Sequence, residues 1–446
     1  MTIHNNFALF SAAILASTLF FAACSDDSSS APEEKSSHEE ETSHEEHHGH
    51  HMEEPSEGDL TLGDEDIQDG FIFLQDTTIN GVLTVSTTTP GATVLKNVKV
   101  TGNLLIKRSG RVDFSGSADV VHVGSSNTDV YAFENEAQVN GHHFMGKNNT
   151  FTTKSFAEYQ NVDWTEKSVD LATGIHLAYT VTGDEKGTPV VLIHGLTDGR
   201  VSWSQVAPSL AKKGYRVYVP EYRGNGKTDK PIDESSYSVA ELASDIAAFV
   251  EKLGLKKVHI VGHSLGAFIA QELSITNAEL VSSITLIGSG ASVDKKNATL
   301  DWLVNGTDDE SFDGIYAYDS TQKLPESFIQ AWGYSTNPDK NFQAANLEHL
   351  KQVPYYVWKY LVKNLLKIDN TKRLSSIATD VQIIWGTKDA LFDSESQKTL
   401  QKGLSKAKSV VFHEVEGADH NTHWGSAEDV KTVTGYIDEF IKSLKK

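Results

Sequence analysis

Only one cysteine occurs in 446 residues, Cys24, so no disulfide can close within the chain. Basic residues are also in deficit: 39 Lys and Arg stand against 61 Asp and Glu, a formal net charge of −22. Residues 25–69 hold 17 of those acids and one lysine, net −16, which leaves −6 for everything else. Without a basic face there is nothing to neutralise phosphates, which excludes nucleic acid as the partner. No HExxH pair and no GxxxxGK[ST] loop occurs, so neither zincin nor phosphate-cradling chemistry is indicated. No cofactor and no ordered metal are expected. Long apolar runs are missing too, except at residues 7–23. What is present is 39% hydrophobic and 22% charged, with enough length for two or more domains.

The exceptional run, FALFSAAILASTLFFAA, ends in small residues directly before Cys24. Phe21-Ala22-Ala23-Cys24 resembles the lipobox of a bacterial lipoprotein signal peptide, with Phe21 where Leu is usual and no Lys or Arg before the run. The resemblance implies removal of residues 1–23 and acylation of Cys24, which would then begin the mature chain and hold it to a membrane. Ser25 lacks the aspartate that retains such proteins at the inner membrane, which points to the outer one. An ordinary cleaved signal and an uncleaved anchor helix are the alternatives. Residues 24–59 read as a disordered acidic tether, because they carry almost no large apolar side chain to offset the entropy of ordering. His38, His44, His47, His48, His50 and His51 lie there among glutamates. Such a tract binds divalent metals weakly, although a charged spacer is the plainer reading.

Residues 60–160 change character. Val, Thr and Ile alternate with polar residues between Gly and Asn, a strand pattern with no helical period. Ile79-Asn80-Gly81, Thr101-Gly102-Asn103 and Val139-Asn140-Gly141 form a loose repeat. Gly81 and Gly102 are 21 residues apart, and Gly141 follows after 39, close to two further turns of about 20. The expectation is a small all-β domain, either a β-solenoid or a β-sandwich binding module, with His122, His142 and His143 at turns or on the surface.

Residues 258–267, VHIVGHSLGA, hold the chemistry. A β-branched run empties into Gly262-His263-Ser264-Leu265-Gly266, and a helical pattern follows at once. A serine on so sharp a strand-to-helix turn needs small neighbours, and it is left exposed at a helix N-terminus. Upstream, PVVLIHG (189–195) reads as a buried parallel strand that opens into a loop. Acyl transfer needs backbone donors for the developing oxyanion, and Leu196 N–H and Leu265 N–H are the candidates. A hairpin around Thr173-Gly174, a helix at 204–213, a strand at 215–220 and a helix at 239–253, with Glu241 and Asp245 on its polar side, complete a strand/helix alternation.

The HG loop, YRVYVPEYRGNGKTDKP, the long helix and GHSLGA resemble, in order and spacing, the α/β-hydrolase superfamily over residues 161–446. Two departures, Glu221 where Asp is usual and Asn225 where His is usual, lie in a structural turn. The resemblance implies a mostly parallel sheet flanked by helices, with a helical cap at about 288–370, a stretch dense in aromatics. It also implies a triad. Asp389 follows the strand at 379–385, where the family carries its acid. His420 follows the last strand, at 410–415, where the family carries its base, and the final helix is expected at 426–442. His423 is the rival base and Asp393 the weaker rival acid, with Asp419 a turn residue and His194 and His263 in support. The expected reaction is hydrolysis of a carboxylic ester on a small acyl substrate. Thioester, lactone or C–C bond hydrolysis by the same triad is one alternative. A non-catalytic envelope protein acting through its β domain is the other.

Overall fold

In residues 58–152, inward Leu, Val and Ile alternate with outward polar groups, as at Leu83–Val85, Leu104–Ile106 and Gly110–Val123. The computed structural model describes residues 50–51, 58–132, 137–152, 164–307, 312–318 and 324–445. Every ladder between strands of the N-terminal sheet is parallel, and the pairing advances by roughly one repeat: Phe71 with Ala92, Leu83 with Leu104, Ala118 with Val139. The inward rows form one apolar core that includes Leu83, Leu104 and Val121. At the corners, Gly102 N–H donates to Gly81 O at 2.9 Å, so the repeated glycines stack directly. Asn and Asp occupy left-handed corners at Asp76, Asn97, Asn127 and Asn148, which their short polar side chains tolerate. Asn97 donates to Asp76 at 2.9 Å, and Asn148 to Asn127 at 3.1 Å, each one repeat back.

His122, His142 and His143 lie within strands rather than turns, and His142 and His143 are exposed at the surface as expected. Parallel register then stacks His122 on His143, centroids 5.4 Å apart, and Phe151 covers His142 at 4.3 Å. His50 and His51 pair in parallel with Leu74 and Gln75. The signal segment, Cys24 and the remaining tether histidines lie outside the described residues.

The C-terminal sheet has eight strands: β1 Thr165–Asp170, β2 His176–Thr182, β3 Thr188–Ile193, β4 Tyr215–Pro220, β5 Val258–His263, β6 Val281–Ile287, β7 Asp380–Gly386 and β8 Ser409–Val415. Their order is β1-β2-β4-β3-β5-β6-β7-β8, with β2 antiparallel to both of its neighbours, β1 and β4, and every other ladder parallel. Every residue of β5 and β7 is buried, as expected of strands covered on both faces. The helices are α1 Val206–Ala211, α2 Val239–Lys252, α3 Leu265–Thr276, α4 Ala298–Asn305, α5 Glu326–Trp332, α6 Lys340–Gln352, α7 Tyr355–Leu365, α8 Ser394–Gly403 and α9 Ala427–Ser443. The four helices α4–α7 interrupt the alternation between β6 and β7. Their aromatics are mainly core: Phe312, Phe328, Tyr356 and Trp358 are buried together.

Two readings of these helices are corrected. α1 is shorter than 204–213, because a buried 3₁₀ turn, Arg200–Trp203, leads into it. Asp245 is not on the polar side of α2. It is fully buried, and Arg223 binds both of its oxygens at 2.7 Å while Thr173 Oγ1 donates at 2.6 Å. A carboxylate with a bidentate partner tolerates burial that an unpaired one does not.

Candidate active site

Ser264 joins the end of β5 to the start of α3 and takes φ 50° and ψ −117°. That left-handed conformation is costly for serine and is held by its surroundings. Ser264 N–H donates to Ile287 O of β6 at 2.9 Å. The flanking glycines are dictated by contact. A Cβ on Gly262 would stand 2.2 Å from Gly266 O, and one on Gly266 would stand 2.3 Å from Ile193 O. The start of α3 is thereby pressed against the end of β3.

Strand β7 delivers Asp389 and β8 delivers His420. Asp389 is buried, and its Oδ1 accepts from Leu391 N–H at 2.8 Å and Phe392 N–H at 3.1 Å. Those bonds aim Oδ2 at His420 Nδ1, 3.0 Å away. Burial disfavours the imidazolium of His420, but the Asp389 carboxylate and its hydrogen bond outweigh that, so the imidazole binds a proton more tightly than usual. Nδ1 is engaged by Asp389, so any proton exchange by the ring falls to Nε2. The ring lies over Gly288, φ +53°, where a Cβ would meet Nδ1 at 3.0 Å. Gly288 directly follows Ile287, the partner of Ser264 N–H. Ser264 and His420 therefore abut consecutive residues of the sheet edge, Ile287 and Gly288.

The loop after β3 supplies the other wall. Leu196 N–H has no acceptor among the described residues, and Leu265 N–H opens α3, where no intrahelical acceptor exists. A Cβ on Gly266 would also stand 2.6 Å from His194 O, so the residue after Leu265 packs on the strand end from which the Leu196 loop departs. Thr197 holds φ 55°, unusual for a β-branched residue. Tyr222 Oη donates to Gly195 O at 2.6 Å, and the Tyr222 ring stacks on His194 at 4.0 Å. Burial pushes His194 down to about 3, so it is neutral. Asp198 reaches across the site: its Oδ2 lies 3.7 Å from His263 Nδ1, while His263 Nε2 lies 3.1 Å from His420 O.

The rivals sit elsewhere. His423 is fully buried between Trp203 and His263, and burial pushes it well below its ordinary value. Asp393 caps α8 by accepting from Ser396 N–H at 2.9 Å. Asp419 accepts from Asn421 N–H at 2.8 Å, a turn role. Sequence reasoning missed His349 of α6, whose ring packs on Gly199 so closely that a Cβ there would lie 2.4 Å from its Cε1. It also missed the buried Arg200–Glu221 pair below that loop, 3.6 Å apart. A lone histidine some 150 residues from its contact leaves no local signal. Among the described residues, no group of three or more His, Cys, Asp or Glu is arranged to hold a metal ion.

Residues 188–427 match the alpha/beta hydrolase fold, over half the chain, and the protein belongs to that family. Epoxide hydrolase 1 of Caenorhabditis elegans is 26% identical over 322 residues, covering 68% of this chain and 77% of the relative. The 2-hydroxy-6-oxononadienedioate/2-hydroxy-6-oxononatrienedioate hydrolase 1 of Pseudomonas putida is 27% identical, covering 61% of this chain and 93% of its own. Among solved structures, an esterase from Exiguobacterium antarcticum superposes with a TM-score of 0.52 at 19% identity, over 63% of this chain and all of that one.

Proposed function

We propose that the protein is a serine hydrolase that cleaves a carboxylic ester through an acyl-enzyme. The carrying observation is His420, held by the buried Asp389 at 3.0 Å beside a serine on a left-handed elbow. Ser264 Oγ adds to the carbonyl carbon while His420 Nε2 takes its proton. Asp389 keeps the imidazole oriented and favours its charged form. The oxyanion is received by Leu196 N–H and Leu265 N–H. Collapse expels the alcohol, which takes the proton from His420. Water, activated by the same base, then releases the acid and frees Ser264.

One relative is named an epoxide hydrolase, but opening an epoxide through an alkyl-enzyme needs a carboxylate nucleophile. The serine at the elbow of this chain disfavours that route. A second reading is hydrolysis of a thioester, lactone or C–C bond, since the same triad serves it. Ser264→Ala tests the assignment: turnover of p-nitrophenyl esters should fall about ten-thousand-fold and fluorophosphonate labelling should vanish. Activity retained in that variant would refute it.

The remaining organisation follows the sequence. Residues 1–23 serve as signal peptide and 24–59 as tether, 60–160 as a β-solenoid and 161–446 as the catalytic domain with its cap at 288–370. The one-repeat parallel pairing supports the solenoid. Acylation at Cys24 would place the enzyme on the outer membrane, with the tether as spacer and weak metal binder. A fatty-acid label that tags Cys24→Ser as well as the wild type overturns the anchor.

A further inference from the structure

Helix α6 touches both the segment after β3 and the β domain within its last eight residues. On one side, Ala345 packs on Val201 and His349 packs on Gly199. These positions are four apart, so they share one helix face. That face covers the segment leaving the oxyanion loop. His349 also interacts with the Asp198 main chain, through which it bears on the loop itself. On the other side, the last carbonyls of α6 have no donor within the helix. The β domain supplies one to each of two: Arg111 Nη2 donates to Gln352 O, and Tyr131 Oη donates to Lys351 O at 3.2 Å. Arg111 is itself fixed. Asp113 accepts from its Nε at 2.8 Å and from its Nη2 at 2.7 Å, and its guanidinium lies 4.0 Å over the Tyr131 ring. A cation at a helix C-terminus also suits the helix dipole.

We propose that the β domain positions the oxyanion loop, with Arg111 and Tyr131 capping α6 and thereby seating His349 and Ala345 on Gly199 and Val201. Arg111, Tyr131 and His349 are positioning residues, since none touches the reacting atoms. The loop needs such support because Thr197 is held in a left-handed conformation within it, and small misplacements of an oxyanion donor are costly. The inference rests on the reading of Leu196 N–H as that donor. It makes the β domain part of the catalytic apparatus.

The test is the double variant Arg111→Gln/Tyr131→Phe in the full chain, read in two ways. Amide exchange over residues 195–203 should speed up about five-fold, with exchange in β5 and β7 unchanged. For a p-nitrophenyl ester, kcat should fall about ten-fold with KM within about two-fold. Ser264 should still reach full fluorophosphonate labelling, and Arg111→Lys alone should recover most of kcat. Wild-type exchange and kcat in a folded double variant overturn the proposal. Where the double variant loses its near-ultraviolet circular dichroism, Tyr131→Phe alone decides: faster loop exchange supports the proposal, and unchanged exchange overturns it. If the wild type itself resists fluorophosphonate, the hydrolase reading fails, while the exchange measurement still judges the coupling.

Discussion

At the scale of single residues, the pair His420–Asp389 fixes how activity should depend on pH. A general base works neutral, and the carboxylate raises His420 above its ordinary value of 6.5. The acid limb of kcat/KM should therefore have its midpoint above 6.5 and fall as pH drops through it. Asp389→Asn removes the charge that raises the imidazole and leaves burial, which lowers it. The limb should move to lower pH, and the plateau should fall about ten-thousand-fold as the tautomer is lost. A pH–rate profile of both forms checks this, and a limb that stays in place in Asp389→Asn would count against the pairing. The same shift bears on stability with the opposite sense: the imidazolium–carboxylate contribution is complete below 6.5 and is lost as pH rises through the folded-state value.

Among elements, the sheet was the most legible part. Parallel strands buried on both faces read as β-branched, largely apolar runs, and so the strand expected at 379–385 appears as Asp380–Gly386, buried throughout. Helix α2 was expected at 239–253 and runs Val239–Lys252, because Ser238 caps it through Glu241 N–H at 3.2 Å. The elbow was legible because its two glycines answer to local backbone contacts. Asp245 was misjudged because helical periodicity cannot see Arg223, which comes from a turn 22 positions earlier. The cap showed itself only as aromatic density. Its helices meet the rest of the chain through distant partners, such as Phe342 on Trp424 at 5.6 Å, and so their bounds and the seat of His349 had no signature. The β repeat was visible in its glycines, whereas the histidine stacks depend on register that no single strand encodes.

At the scale of the whole molecule, the β domain and the catalytic domain share apolar core. Phe71 and Ala92 of the β domain belong to the cluster that contains Tyr356, Trp358 and the β5 side chains Val258 and Ile260. Phe71 meets Tyr356 edge to face, with centroids 4.8 Å apart, and Lys96 pairs with Asp229 at 2.6 Å. Burial of Phe71 supplies the apolar part of this coupling, beside the partly buried Lys96–Asp229 pair and the Arg111 and Tyr131 hydrogen bonds. Phe71→Ala should cost about 3–5 kcal/mol, falling on the junction between the two domains rather than on either interior. All seven tryptophans lie beyond residue 161, so tryptophan fluorescence reports the catalytic domain alone. Far-ultraviolet circular dichroism reports both domains. In the wild type the two thermal transitions should coincide, and in Phe71→Ala they should separate, with ellipticity changing before fluorescence. Coincident transitions at a lower midpoint in the variant would mean that Lys96–Asp229 and the Arg111 and Tyr131 bonds suffice to keep the domains one cooperative unit.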